Sequence, residues 1–168
     1  MSIEEHTYAR SDAPSPSIDT YRFRCAEDVV AYAACNPSVG AVTYPEVWHL
    51  DQTGAITCYY KASTLDTLEW WANEPWPLHR SREEGLRSGS CGRDWVVVDS
   101  RPRHLRRLRR QVSDRDIDWF EDIRESLDEV GVNLVDAVVF DDACHWWSMR
   151  ELAYGSTDWW AGPRPAVK

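Results

Sequence analysis

Residues 95–141 read WVVVDS RPRHLRRLRR QVSDRDIDWF EDIRESLDEV GVNLVDAVVF D. The opening run, Trp95-Val96-Val97-Val98-Asp99, is short, apolar and β-branched, the composition of a buried strand. Arg101 to Val112 follows with six arginines and no acid, and Ser113 to Val130 then sets eight acids against two arginines. Both segments carry apolar residues at helical spacing: Leu105, Leu108 and Val112 in the first, and Ile117, Phe120, Ile123, Leu127 and Val130 in the second. Pro102 suits a first helical turn. Ser113 with Asp116 resembles a capping box. Asp114, Asp116 and Asp118 sit where the helix dipole favours negative charge, and Gly131 suits the helix end. Val132 to Asp142 returns as a second apolar strand. Strand, helix, helix, strand is a crossover, which makes the two strands parallel neighbours or near neighbours in one sheet.

Outward from this unit, the pattern predicts one α+β domain: a mixed sheet of about five strands with helices packed on it. The chain of 168 residues is long enough to bury a core without metal or disulfide support. Residues 1–17 and 162–168 are expected to be flexible tails around a globular domain at 18–161. Thr20–Arg24 is a candidate short strand. Ala26–Cys35 reads as a helix burying Val29, Val30 and Ala33, stopped by Asn36-Pro37. Val42–Lys61 reads as a β-hairpin turning at Asp51-Gln52-Thr53-Gly54, with Gly54 at a positive φ. A short helix is expected over Thr64–Asn73 and an irregular loop over 74–94. A last helix is expected from Ala143 to Tyr154, with Asp142 as N-cap and Gly155 ending it.

The net charge is -9, and the only lysines are Lys61 and Lys168, so nearly all positive charge is arginine. Such a balance disfavours general binding to nucleic acid or anionic membrane and favours basic partners. The N-terminus lacks a basic start and an apolar core, so no secretory signal is expected there. Cys25, Cys35, Cys58, Cys91 and Cys144 are odd in number and lack CxxC spacing. They read as reduced thiols in a soluble, cytoplasmic protein, with zinc disfavoured.

Three functional readings follow. In the leading one, an acidic, Trp-rich, non-catalytic module docks on and occludes a basic protein, as an inhibitor, immunity or anti-defence protein would. Asp116, Asp118, Glu121, Asp122 and Glu125 would supply the charge, with Trp119, Trp70 and Trp159 as anchors. The ten tryptophans include the doublets Trp70-Trp71, Trp146-Trp147 and Trp159-Trp160. On a helix, one ring of each doublet enters the core while the other sits at its boundary. No cofactor is needed.

In the second reading, Asp99, Asp141 and Asp142 converge at the carboxyl ends of two parallel strands and hold Mg²⁺ or Mn²⁺, with His145 in reach, for phosphohydrolase or nuclease chemistry. The bland alternative is that Asp142 caps a helix, Asp99 starts a turn and Asp141 pairs with an arginine.

In the third, Arg103, Arg106, Arg107 and Arg110 grip a nucleic-acid backbone. Its bland alternative is internal. The arginine segment carries +6 and the following acidic segment 2 - 8 = -6, so the two can neutralise each other.

Overall fold

The computed structural model describes residues 3–36, 46–61, 92–101, 112–129 and 131–160. The expected helix at Thr64–Asn73, residues 74–91 of the expected loop, Arg103, Arg106, Arg107, Arg110, Trp70 and the 162–168 tail lie outside the described residues.

The described elements are β1 (His6–Thr7), α1 (Ala26–Cys35), β2 (Glu46–Leu50), β3 (Ile56–Lys61), β4 (Asp94–Ser100), α2 (Asp114–Asp128), β5 (Asn133–Phe140), β6 (His145–Ser148) and α3 (Met149–Tyr154). Six strands form one mixed sheet in the order β1-β6-β5-β4-β2-β3. The central pair, β4 and β5, is parallel and the other neighbours are antiparallel; residues 102–111 of the expected crossover lie outside the described residues. The architecture is the expected single α+β domain, with six strands among the described residues. Two described strands were not anticipated, β1 inside the segment read as a tail and β6 where a helix was expected, and one expected strand, Thr20–Arg24, is absent.

Alternation along the central strands explains why they are apolar on both faces over most of their length. Val96, Val98, Val138 and Phe140 point to one face, where Val29, Val30 and Ala33 of α1 cover them. Trp95, Val97, Ala137 and Val139 point to the other, under Ile117, Phe120 and Leu127 of α2 and Met149 of α3. A sheet covered on both faces favours apolar side chains in its middle strands, and Asp136 in β5 is the exception at their centre. Each buried Val, Leu or Phe contributes about 1.5–3 kcal/mol.

Local chemistry sets the boundaries. The β2–β3 turn is closed by Asp51, whose Oδ1 accepts from the Thr53 backbone N–H at 2.8 Å and the Ala55 N–H at 3.2 Å. Gly54 has φ 84°, and a Cβ there would lie 2.4 Å from the Phe23 carbonyl oxygen, so only glycine fits. At the start of α2, the Asp116 carboxylate accepts from the Ser113 backbone N–H at 2.9 Å, completing the anticipated capping box.

Three expectations need correction. Thr20–Arg24 is not a strand: Phe23 is fully buried, but the chain passes it as a loop. The helix expected from Ala143 begins only at Met149, capped by Ser148, whose Oγ accepts from the Glu151 N–H at 3.1 Å. The residues before it form β6, because strand geometry sends Trp146 to the α1 face and Trp147 to the α2 face, burying both. A helix would keep them about 100° apart. The third correction is at Cys58, which is disulfide-bonded, while Cys25, Cys35 and Cys144 are free thiols. Bridging depends on approach in space, which sequence spacing does not report.

Candidate functional site

The carboxyl ends of β4 and β5 lie on one sheet edge, with Asp99 opposite Val139 and Ser100 opposite Phe140. Asp99, 1% exposed, binds Arg101 Nε at 3.0 Å. The same guanidinium reaches Asp116 Oδ1 at 2.6 Å. Arg101 therefore ties the end of β4 to the first turn of α2. Of the two readings of the arginine segment, the internal one holds at Arg101. Both carboxylates are committed, and an arginine between two aspartates is a structural staple.

Asp141 makes a separate arrangement. Its Oδ1 accepts from the Ala143 N–H at 2.8 Å and the His145 N–H at 2.9 Å, and its Oδ2 meets His145 Nδ1 at 2.9 Å. Burial raises the Asp141 carboxyl, but these hydrogen bonds from His145 and Ala143 outweigh it and hold the group below the ordinary carboxylate range. Asp141, rather than Asp142, organises the chain reversal, and Asp142 is an exposed turn residue, not a helix cap. Among the described residues no group of three or more His, Cys, Asp or Glu is placed to hold a metal ion. The geometry brings Asp141 and His145 together as expected, while Asp99 is drawn to Arg101.

The outer face of α2 differs. Asp114, Asp118, Asp122, Glu125 and Glu129 are exposed and recur at spacings of three or four, which places them along one stripe of helix surface. Glu121 flanks it, half-buried. Among the described residues, Asp118, Glu121, Asp122 and Glu125 make no ion pair or hydrogen bond through their carboxylates. Repulsion along such a stripe costs helix stability. The opposite face of α2 compensates by burying Ile117, Phe120 and Leu127. Trp119 packs partly buried against that core. Trp159, a proposed anchor, is 1% exposed and donates its Nε1–H to Asp136 at 3.2 Å, so its ring is core; its neighbour Trp160, at 36%, carries the exposure.

The group that sequence reasoning missed is Asp136, fully buried in β5. Its Oδ1 accepts from the N–H groups of Ala137 and Arg150 at 2.7 and 3.1 Å. Its Oδ2 accepts from Ser148 Oγ at 2.7 Å and from Trp159. Burial pushes its carboxyl up, against those four donors. Arg150, 1% exposed, lies within range of its charge and donates to the carbonyls of Val135 and Asp158, each at 3.1 Å. The signal was present: a single charge inside an otherwise apolar strand, Leu134-Val135-Asp136-Ala137-Val138. Asp136 joins β5, β6, α3 and the Trp159 turn. It is inaccessible and structural.

The chain matches no protein-family model and no curated protein. Among the described residues, no helix is long and apolar enough to cross a membrane.

Proposed function

We propose that this protein is a non-catalytic binding module whose acidic α2 face docks on a basic protein partner and occludes it, in the manner of an inhibitor, immunity or anti-defence protein. The observation that carries this reading is the division of labour on α2. Asp116 is spent on Arg101 and the helix cap, whereas Asp118, Asp122 and Glu125 stand exposed in a row with no cation paired to them among the described residues. Carboxylates in such a row raise the encounter rate with a basic surface and confer specificity by excluding acidic ones. Trp119 lies within the same helix at the edge of the stripe, where a partner's apolar group would reach its ring.

The corrected geometry narrows the contact set. Trp159 leaves it because its ring is buried, and Asp116 leaves it because its carboxylate is committed. Asp118, Glu121, Asp122, Glu125 and Trp119 remain, together with Trp70, which lies outside the described residues. The three free thiols support a cytoplasmic setting, and the disulfide at Cys58 is the observation against it. Intact mass of the native protein, alkylated with and without reductant, decides between them. The docking test is an affinity capture from the native cells at low salt, using the wild-type chain and the Asp118→Asn, Asp122→Asn, Glu125→Gln variant. The reading expects a basic protein on the wild type alone, released as salt rises. A partner held equally by both proteins would sink it.

A further inference from the structure

Cys58 is bridged, whereas Cys25, Cys35 and Cys144 of the same chain are free thiols. Permanent disulfides belong to oxidising surroundings and free thiols to reducing ones. A bridge that opens and closes reconciles the two. The position of Cys58 suits such a bridge. β3 is the last strand of the described sheet, and Cys58 is half-buried on it, where a small thiol can approach. Opposite it in the ladder stands His49 of β2, 2% exposed, at a point where the register shifts between His49 and Leu50. His49 Nδ1 lies 2.8 Å from Cys58 Sγ. A bridged sulfur has no hydrogen to give, so the imidazole is the donor and Nδ1 carries its proton. Burial holds His49 down at about 4, so the ring is neutral and its one N–H is turned to the sulfur. The surroundings fix it there. The Trp95 indole stacks on the imidazole with centroids 4.2 Å apart and planes 6° from parallel. Trp95 Nε1–H donates to the Gly92 carbonyl at 3.0 Å, and the Gly92 N–H donates to Thr57 Oγ1 at 2.7 Å. The Thr57 hydroxyl donates in turn to the His49 carbonyl at 3.1 Å. These contacts run in a closed circuit from the stacked indole back to the His49 main chain.

We propose that Cys58 and His49 form a redox-active site, whose disulfide is opened by small thiols of the glutathione class and closed again by their oxidised form. A thiolate of the reductant attacks the sulfur joined to Cys58. A mixed disulfide forms there and the S–S bond of Cys58 breaks. Cys58 Sγ leaves with the electron pair as a thiolate, and the His49 N–H meets the negative charge where it develops. A second reductant thiolate attacks the reductant sulfur of the mixed disulfide. This step frees the second protein sulfur and produces the disulfide of the reductant. Two electrons pass from the reductant to the protein, and the protons of its two thiols end on the two protein sulfurs. Closure runs the same steps in reverse with the oxidised reductant. A thiolate that is better stabilised leaves faster. The donor is already in place before the bond breaks, so no rearrangement is needed as the charge appears.

The test is the rate at which reduced glutathione opens the bond in the folded full chain, read by quenching with an alkylating reagent and weighing the intact protein. The wild type should gain alkyl groups within minutes in millimolar glutathione without unfolding, and return to its starting mass in oxidised glutathione. Peptide mapping should place one of the new alkyl groups on Cys58. His49→Phe keeps the stack on Trp95 and removes the N–H, and should slow opening about tenfold. His49→Gln restores a donor and should open faster than His49→Phe. Both are compared with the wild type at matched near-ultraviolet circular dichroism. A histidine that serves packing alone gives the opposite sign, because its loss loosens β2 against β3 and speeds opening. A wild-type bond that opens only after unfolding in urea, new alkyl groups that map away from Cys58, or a folded His49→Phe that opens at the wild-type rate or faster would each overturn the proposal.

Discussion

Asp136 and Asp122 are the same side chain placed to opposite ends. Asp136 is buried in the centre of the sheet and accepts four hydrogen bonds from two strands, a helix and a turn. Asp122 lies exposed on the outer face of α2, in a row of like charges. The first is costly to desolvate, and its surroundings provide the donors that offset the cost. The second is cheap to keep and cheap to remove. A carboxylate with every lone pair satisfied from within the chain serves the fold. A row of carboxylates that the fold does not use is available to a partner.

The sharpest way to break this comparison is to truncate both. Asp136→Ala strands the Ser148 hydroxyl, the Trp159 indole and two backbone N–H groups, and removes the buried carboxylate that faces the Arg150 charge. The expected loss is about 3–5 kcal/mol in urea unfolding. Asp122→Ala should change stability by about 0.5 kcal/mol or less. Similar losses for the two would remove the distinction.

A second prediction concerns a buried base. His49, 2% exposed, is stacked on Trp95 at 4.2 Å, and burial lowers it to about 4 from its ordinary value. The unfolded chain takes up a proton near pH 6.5 that the folded chain refuses until about pH 4. Stability is therefore complete above that upper value and falls as the solution is acidified through the window, by up to about 3 kcal/mol. His49→Phe keeps the stacking and should flatten the profile there. An unchanged slope in the variant would contradict the assignment.

Arg101→Ala should cost about 2 kcal/mol, because it leaves the Asp99 carboxylate buried and loosens the first turn of α2. The Asp118→Asn, Asp122→Asn, Glu125→Gln variant should hold wild-type stability to within about 0.5 kcal/mol, or gain slightly from relieved repulsion. That result separates the outer face of α2 from its N-terminus, a few residues away.

Sequence patterns set these regions apart unevenly. The bounds of α1, the turn at Asp51–Gly54 and the parallel β4–β5 pair were legible. Each rests on a strong local signal: an apolar stripe, a turn residue at a required φ, or a β-branched run. β6 was hidden because His145-Trp146-Trp147-Ser148 is too short to display a two-residue period and runs directly into the helical Met149–Tyr154. β1 has no pattern to read, since pairing and side-chain contacts made across the fold define it. At the candidate site, Asp141 and His145 were legible from their spacing of four. The capture of Asp99 by Arg101 was not, because it requires knowing that β4 ends beside the first turn of α2. Trp159 was misplaced for the same reason: it was read as a partner-binding anchor, while its indole N–H is needed by Asp136.

The measurement that tests the central claim most directly is the paired affinity capture with the wild-type chain and the α2 triple variant, with unfolding curves confirming that both are equally folded. The account predicts a basic protein bound by the wild type at low salt, released as salt rises and absent from the variant. Undiminished capture by the variant would contradict it.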